Sequence, residues 1–102
     1  MDRGLPDTSK ESIGQRLARV REALGWNQST LATSLGMSTQ RWNNYEKGKT
    51  LPPPDVLAKF WQTTGATSDY ILFGRRDGMS VELIKKLDAQ QRAQRGSGSI
   101  AG

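Results

Sequence analysis

Apolar residues fall in short helical rows along this chain. Ile13, Leu17, Val20 and Leu24 recur at steps of three and four, the spacing of one helical face. Ser9 or Ser12 can cap the start and Gly25 follows the end, so a first helix is predicted over about residues 12–24. Leu31, Ala32 and Leu35 mark a second, over about 28–35, with Asn27 as its N-cap and Gly36 just past its end. Ser38 opens a third, over about 39–47, which Gly48 closes. Pro52, Pro53 and Pro54 form a stiff connector, and Pro54 suits the first turn of a fourth helix because no N–H is needed there. That helix, about 54–64, carries Val56, Leu57, Phe60 and Trp61 as its apolar face. Gly65 breaks it, and Ser68 caps a short fifth helix over about 68–73. Beyond the Gly74–Gly78 run GRRDG, a sixth pattern starts at Ser80, with Val81, Ile84 and Leu87 in line and Leu83 beside them.

These rows predict an all-α fold: a compact five-helix body over residues 11–74 and an extra C-terminal helix over about 80–94, in a segment reaching 95. Residues 75–79 read as a hinge, 1–10 as a flexible arm and 96–102 as a flexible tail. The second and third helices are joined by a tight glycine turn that leaves little slack. Their crossing angle is therefore set, which is the geometry of a helix-turn-helix.

The third helix is polar in an unusual way. At about 100° per residue, Trp42, Tyr45 and Glu46 fall on one side, and Gln40, Asn44 and Lys47 fall opposite. Asn43 lies close to the second group, Arg41 at its flank and Thr39 in the exposed first turn. A merely solvated face would be better served by Glu and Lys, since Asn and Thr are weaker helix formers. Amides and a guanidinium match the donor and acceptor pattern of base edges in the DNA major groove. Around them Asn27, Gln28, Ser38, Asn43, Lys47, Lys49 and Thr50 suit phosphate oxygens, and the second helix opens with free N–H groups.

Composition narrows the classes further. The chain has 102 residues, enough for one domain with a modest core. It carries 15 Lys and Arg against 10 Asp and Glu, a net charge of +5, which favours anionic partners such as nucleic acid. The absence of cysteine excludes disulfides and thiolate zinc sites. With no histidine either, the usual base and the usual metal ligand are missing, so neither an enzyme nor a metal or cofactor site is expected. MDRGLPDTSKES has no apolar signal core, and the longest apolar run, Tyr70–Phe73, is far short of the ~20 residues a membrane span needs. A soluble, cytoplasmic protein with no membrane partner is expected.

LGWNQSTLATSLGMSTQRWNNYEKGKTLPP resembles the core of lambda-repressor-like DNA-binding domains, the Cro/CI or XRE type. The likeness covers about Ile13 to Gly74 and follows Asn27-Gln28, Leu31-Ala32, Gly36, Trp42 and Tyr45-Glu46-Lys47-Gly48. It implies base reading by Thr39, Gln40, Arg41 and Asn44, and phosphate binding by Gln28. It further implies a backbone grip by Lys49 and Thr50, and an ion pair between Arg21 and Glu46. Trp42 is larger than the aliphatic residue usual there, from which partial exposure is expected. The function implied is a sequence-specific regulator, a phage or bacterial type of repressor that binds double-stranded DNA as a homodimer on a palindromic operator. An antitoxin or adaptor that docks a protein partner through residues 79–95 is the alternative. The stripe Val81, Ile84 and Leu87 can be buried on its own body, pair with a second copy or bind another protein. A dimer's need for an interface favours a crossed or paired arrangement.

Overall fold

The computed structural model describes residues 6–100, and the side chains of residues 6–94. It is all-helical: α1 Lys10–Ala23, α2 Gln28–Ser34, α3 Thr39–Glu46, α4 Pro54–Thr64, α5 Ser68–Phe73 and α6 Val81–Ile100. Side-chain caps set most of the starts. Ser9 accepts from the Ser12 N–H at 3.1 Å, Asn27 from Thr30 at 2.7 Å, Ser38 from Arg41 at 3.1 Å and Ser80 from Leu83 at 3.1 Å. Each satisfies a first-turn donor that the helix itself leaves open. Thr67, not Ser68, caps α5, accepting from the Tyr70 N–H, and α4 opens on Pro54 without a side-chain cap.

The core gathers one apolar face from each helix. Leu17, Val20, Leu31, Trp42, Val56, Phe60 and Ile71 are fully enclosed. The expected exposure of Trp42 is overturned: its relative exposure is 0%. Phe60 of α4 lies against the indole, ring centres 5.4 Å apart and planes 25° from parallel, while Tyr45 meets it edge-on at 6.0 Å. A flat aromatic from another helix thus accommodates the extra volume. Trp61 departs the other way. At 100° per residue it falls beyond Leu57 at the rim of the α4 face, and it is 53% exposed.

α1 and α3 approach each other unusually closely at Gly14. A Cβ there would lie 2.5 Å from the Tyr45 carbonyl oxygen and as badly against that of Glu46. Only glycine lets α1 pass the last turn of α3 at this distance.

The C-terminal segment lies on the body of its own chain. α6 packs on α1, with Met79, Leu83 and Leu87 buried and Ile84 half-buried, while Val81 stays 67% exposed. Of the three places open to the stripe, this is the one on its own body. The apolar row needs a surface, and α1 lies within reach of a short connector. That connector is tied down: Met79 is buried and Arg76 pairs with Asp88 at 2.8 Å. α6 also continues to Ile100, past the expected end near residue 94. The arm is partly ordered as well. Asp7 accepts from the Ser12 hydroxyl at 2.6 Å and the Ser9 N–H at 3.0 Å, and its carbonyl accepts from Arg16 at 2.8 Å. Residues 1–5 and 101–102, expected as parts of arm and tail, lie outside the described residues.

Candidate nucleic-acid interface

The site begins at the turn between α2 and α3. Gly36 takes a positive φ of 72°, open to glycine at no Cβ cost, and the Met37 N–H returns to the Ala32 carbonyl at 3.0 Å. The turn closes in four residues, Leu35 to Ser38, before α3 starts at Thr39.

One carboxylate then fixes α3 to its neighbours. Glu46 accepts from Arg21 Nε at 2.7 Å and Arg21 Nη2 at 3.1 Å, a two-pronged pair joining α3 to α1. It also accepts from Gln28 Nε2 of α2 at 2.9 Å and from the Trp42 indole N–H. Four donors from three helices therefore converge on two oxygens. The pair is largely dry, the side chains being 13% and 6% exposed. The hydrogen bond to Glu46 raises the Arg21 pKa above its ordinary value, so the guanidinium stays charged. Arg21 also donates to the Trp26 carbonyl at 2.9 Å, fastening the α1–α2 loop.

Held this way, α3 turns its polar residues outward. Thr39, Gln40 and Arg41 are exposed and Asn44 is half-buried one turn on. Gln40 Nε2 donates to Asn44 Oδ1 at 3.1 Å, coupling two of the four. Arg41 Nε donates to the Tyr45 hydroxyl at 2.9 Å, and its guanidinium carbon lies 5.9 Å from that ring centre. Tyr45 thereby serves the core with its ring and Arg41 with its hydroxyl.

The residues assigned to phosphate differ in their freedom. Lys47, Lys49 and Thr50 are exposed, and the Lys49 and Thr50 N–H groups fold back on the Asn44 carbonyl at 2.9 and 3.4 Å. The side-chain oxygens of Asn27 and Ser38 are engaged as caps, though both residues are exposed. Gln28 and Asn43 are half-buried and joined, Gln28 Nε2 donating to Asn43 Oδ1 at 3.1 Å. An open groove of about 330 Å³ runs beside them, lined also by Glu11, Gln15 and Lys47.

Three contributors were not read from the sequence. Gly14 had a signal, since a glycine inside a helix costs about 1 kcal/mol against alanine and marks a close approach. Arg16, which caps α5 by donating to the Ile71 and Leu72 carbonyls at 3.1 and 3.0 Å, had none. The Trp26 carbonyl, a backbone acceptor, had none either. Among the described residues, no group of His, Cys, Asp or Glu is arranged to hold a metal, and no helix is long and apolar enough to cross a membrane.

This order of helices, with a short turn leading into an outward-facing polar helix, defines an all-α helix-turn-helix protein. A family model described as "Helix-turn-helix domain" matches residues 12–70, and the chain belongs to the Cro/CI-like, XRE-type helix-turn-helix family. It is 34% identical over 62 residues to the SPbeta prophage-derived uncharacterized HTH-type transcriptional regulator YonR of Bacillus subtilis, covering 61% of this chain and 57% of that protein. It is 33% identical over 60 residues to Multiprotein-bridging factor 1 of Schizosaccharomyces pombe, covering 59% and 40%. The chain thus spans about half the length of these relatives. The crystal structure of the clp gene regulator ClgR from Corynebacterium glutamicum shares the fold, with a TM-score of 0.54 at 17% identity, over 90% of this chain and 85% of that one.

Proposed function

We propose that the protein is a sequence-specific regulator of transcription that reads double-stranded DNA with α3. The observation carrying this reading is the exposed row Thr39, Gln40 and Arg41, with Asn44 a turn later, on a helix locked to α1 and α2 through Glu46. A reading helix must not rock, because a bidentate contact to a base edge tolerates little displacement. Gln40 and Asn44 suit adenine, Arg41 suits the O6 and N7 of guanine, and Thr39 suits a thymine methyl. Lys47, Lys49, Thr50, Ser38, Asn27, Asn43 and the Gln28 position flank that row on the backbone side and set its register. The prophage-derived transcriptional regulator among its relatives supports a regulator of phage or bacterial type, which on this reading acts as a repressor.

Such a protein acts as a homodimer on a palindrome whose half-sites lie about one helical turn, ~34 Å, apart. Selection from a random-sequence duplex pool tests the whole reading. A palindromic consensus is the expected result, and recovery of no consensus above background would refute it. The adaptor reading draws on the name of the yeast bridging factor and on exposed Val81. It is the weaker of the two, because Leu83 and Leu87 of α6 are buried and leave little apolar surface for a partner.

A further inference from the structure

We propose that Glu46, acting through Gln28, decides which way the Asn43 carboxamide faces, so that Asn43 and not the Gln28 side chain donates to the DNA backbone. The inference rests on the DNA-binding reading above and refines its backbone contacts.

The polarity runs outward from the carboxylate. An ionised carboxylate only accepts hydrogen bonds, so the Gln28 atom that lies 2.9 Å from Glu46 Oε1 must be the nitrogen. A turned amide would set two acceptors against each other. Glu46 cannot swing away to avoid this, because Arg21 and Trp42 hold both its oxygens. The second hydrogen on Gln28 Nε2 goes to Asn43 Oδ1 at 3.1 Å. Asn43 must present oxygen there, since its own nitrogen would meet another donor. The orientation of both amides therefore follows from the charge on Glu46, even though amide nitrogen and oxygen are nearly isosteric.

Two consequences follow for an approaching phosphate. Both Gln28 side-chain donors are consumed inside the protein, and its remaining oxygen repels a phosphate oxygen. The Asn43 Nδ2 group keeps both hydrogens free of partners among the described residues, and it borders the open groove that Lys47 also lines. A carboxamide donor and an ammonium on one wall suit a phosphate without regard to sequence. Glu11, the acidic member of that lining besides the saturated Glu46, opposes an anion only where it is near.

A double-mutant cycle on a mixed-sequence duplex at low salt separates this from direct contact by Gln28. A hydrogen bond to a charged group is worth enough that Asn43→Ala should weaken binding roughly tenfold or more. Gln28→Ala should weaken it by no more than that, and should cost nothing further in the Asn43→Ala background. Losses that add in full would overturn the proposal, since they place Gln28 on the DNA independently. Nuclear magnetic resonance of the unaltered protein supplies a check that no folding defect can confuse. On titration with the same duplex the Asn43 side-chain NH2 signals should move while those of Gln28 stay, and the reverse pattern also overturns it. An unaltered protein that binds no duplex at all removes the DNA-binding reading and this inference together. Additive losses on a protein that does bind remove this inference alone.

Discussion

At the scale of single residues, the most consequential side chain is Glu46. Deleting it leaves a part-buried guanidinium, an amide and an indole N–H without their acceptor. Breaking a fully buried pair by removing one partner costs about 3–5 kcal/mol. Because the Arg21 side chain keeps 13% of its exposure, Glu46→Ala should cost less than that and lower the urea midpoint accordingly. A loss under about 1 kcal/mol would show water already screening the pair. Gln40→Ala should instead leave stability alone and cost about 1–3 kcal/mol of specific binding, relaxing preference at one base pair per half-site. Equal loss on specific and non-specific duplexes would remove Gln40 from base reading. Asp7 carries the acid response. The Ser12 hydroxyl, and next the Ser9 N–H, bind its ionised form and lower its pKa from 3.8 to about 2. A lowered folded-state pKa means that its contribution is fully present above pH 4 and is lost as pH falls toward about 2. A carboxylate titration by nuclear magnetic resonance should place its midpoint near that lower value. The ordinary value would mean that the Asp7 contacts to Ser9 and Ser12 are not formed. The Arg21–Glu46 pair was legible through family resemblance and the inward side of Trp42 through the helix wheel, whereas its complete burial was not, because its cover comes from Phe60, 18 positions away on another helix.

Among the elements, α1 is the one on which the others converge. α3, α5 and α6 all pack on it, and Gly14 sets how near α3 can come. Gly14→Ala would gain about 1 kcal/mol of helix propensity but must displace backbone carbonyls, and overpacking of that kind costs about 1–3 kcal/mol. The thermal midpoint should fall, and a rise would mean that α1 and α3 separate easily. Truncation after Gly78 exposes the surface that Met79, Leu83 and Leu87 cover. Two buried leucines are worth about 1.5–3 kcal/mol each, an upper estimate, so the shortened chain should unfold several kcal/mol earlier on a urea scale. Unchanged stability would show α6 to be held only loosely. The helices themselves were readable because caps, glycines and three-four spacing are local signals. The partner of α6 was not, because an apolar row states only that a surface is needed.

For the whole molecule, the expected behaviour is set by charge and symmetry. On the proposed function, a basic chain should bind DNA with a steep salt dependence, and Lys49→Ala should make the log–log slope shallower by about one unit for every sequence alike. An unchanged slope would place Lys49 away from the backbone. With α6 folded back onto α1, the homodimer proposed above would use another face. Among the described residues Leu51, Trp61, Phe73 and Val81 are the large apolar side chains left outside, and Phe73 ends α5. Phe73→Asp should then weaken self-association in sedimentation while leaving the fold intact. Retained dimers would move the interface elsewhere.

Local chemistry in the sequence was enough to determine six helices, the turn at Gly36 and the polar row from Thr39 to Asn44, since each depends on residues within a few positions of one another. Tertiary structure alone decided that Trp42 is buried, that α6 lies on α1, and that Gln28 spends its donors on Glu46 and Asn43. Each of these is a choice among partners distant along the chain. Sequence periodicity shows that a face or a donor needs a partner, and only packing decides which one reaches it.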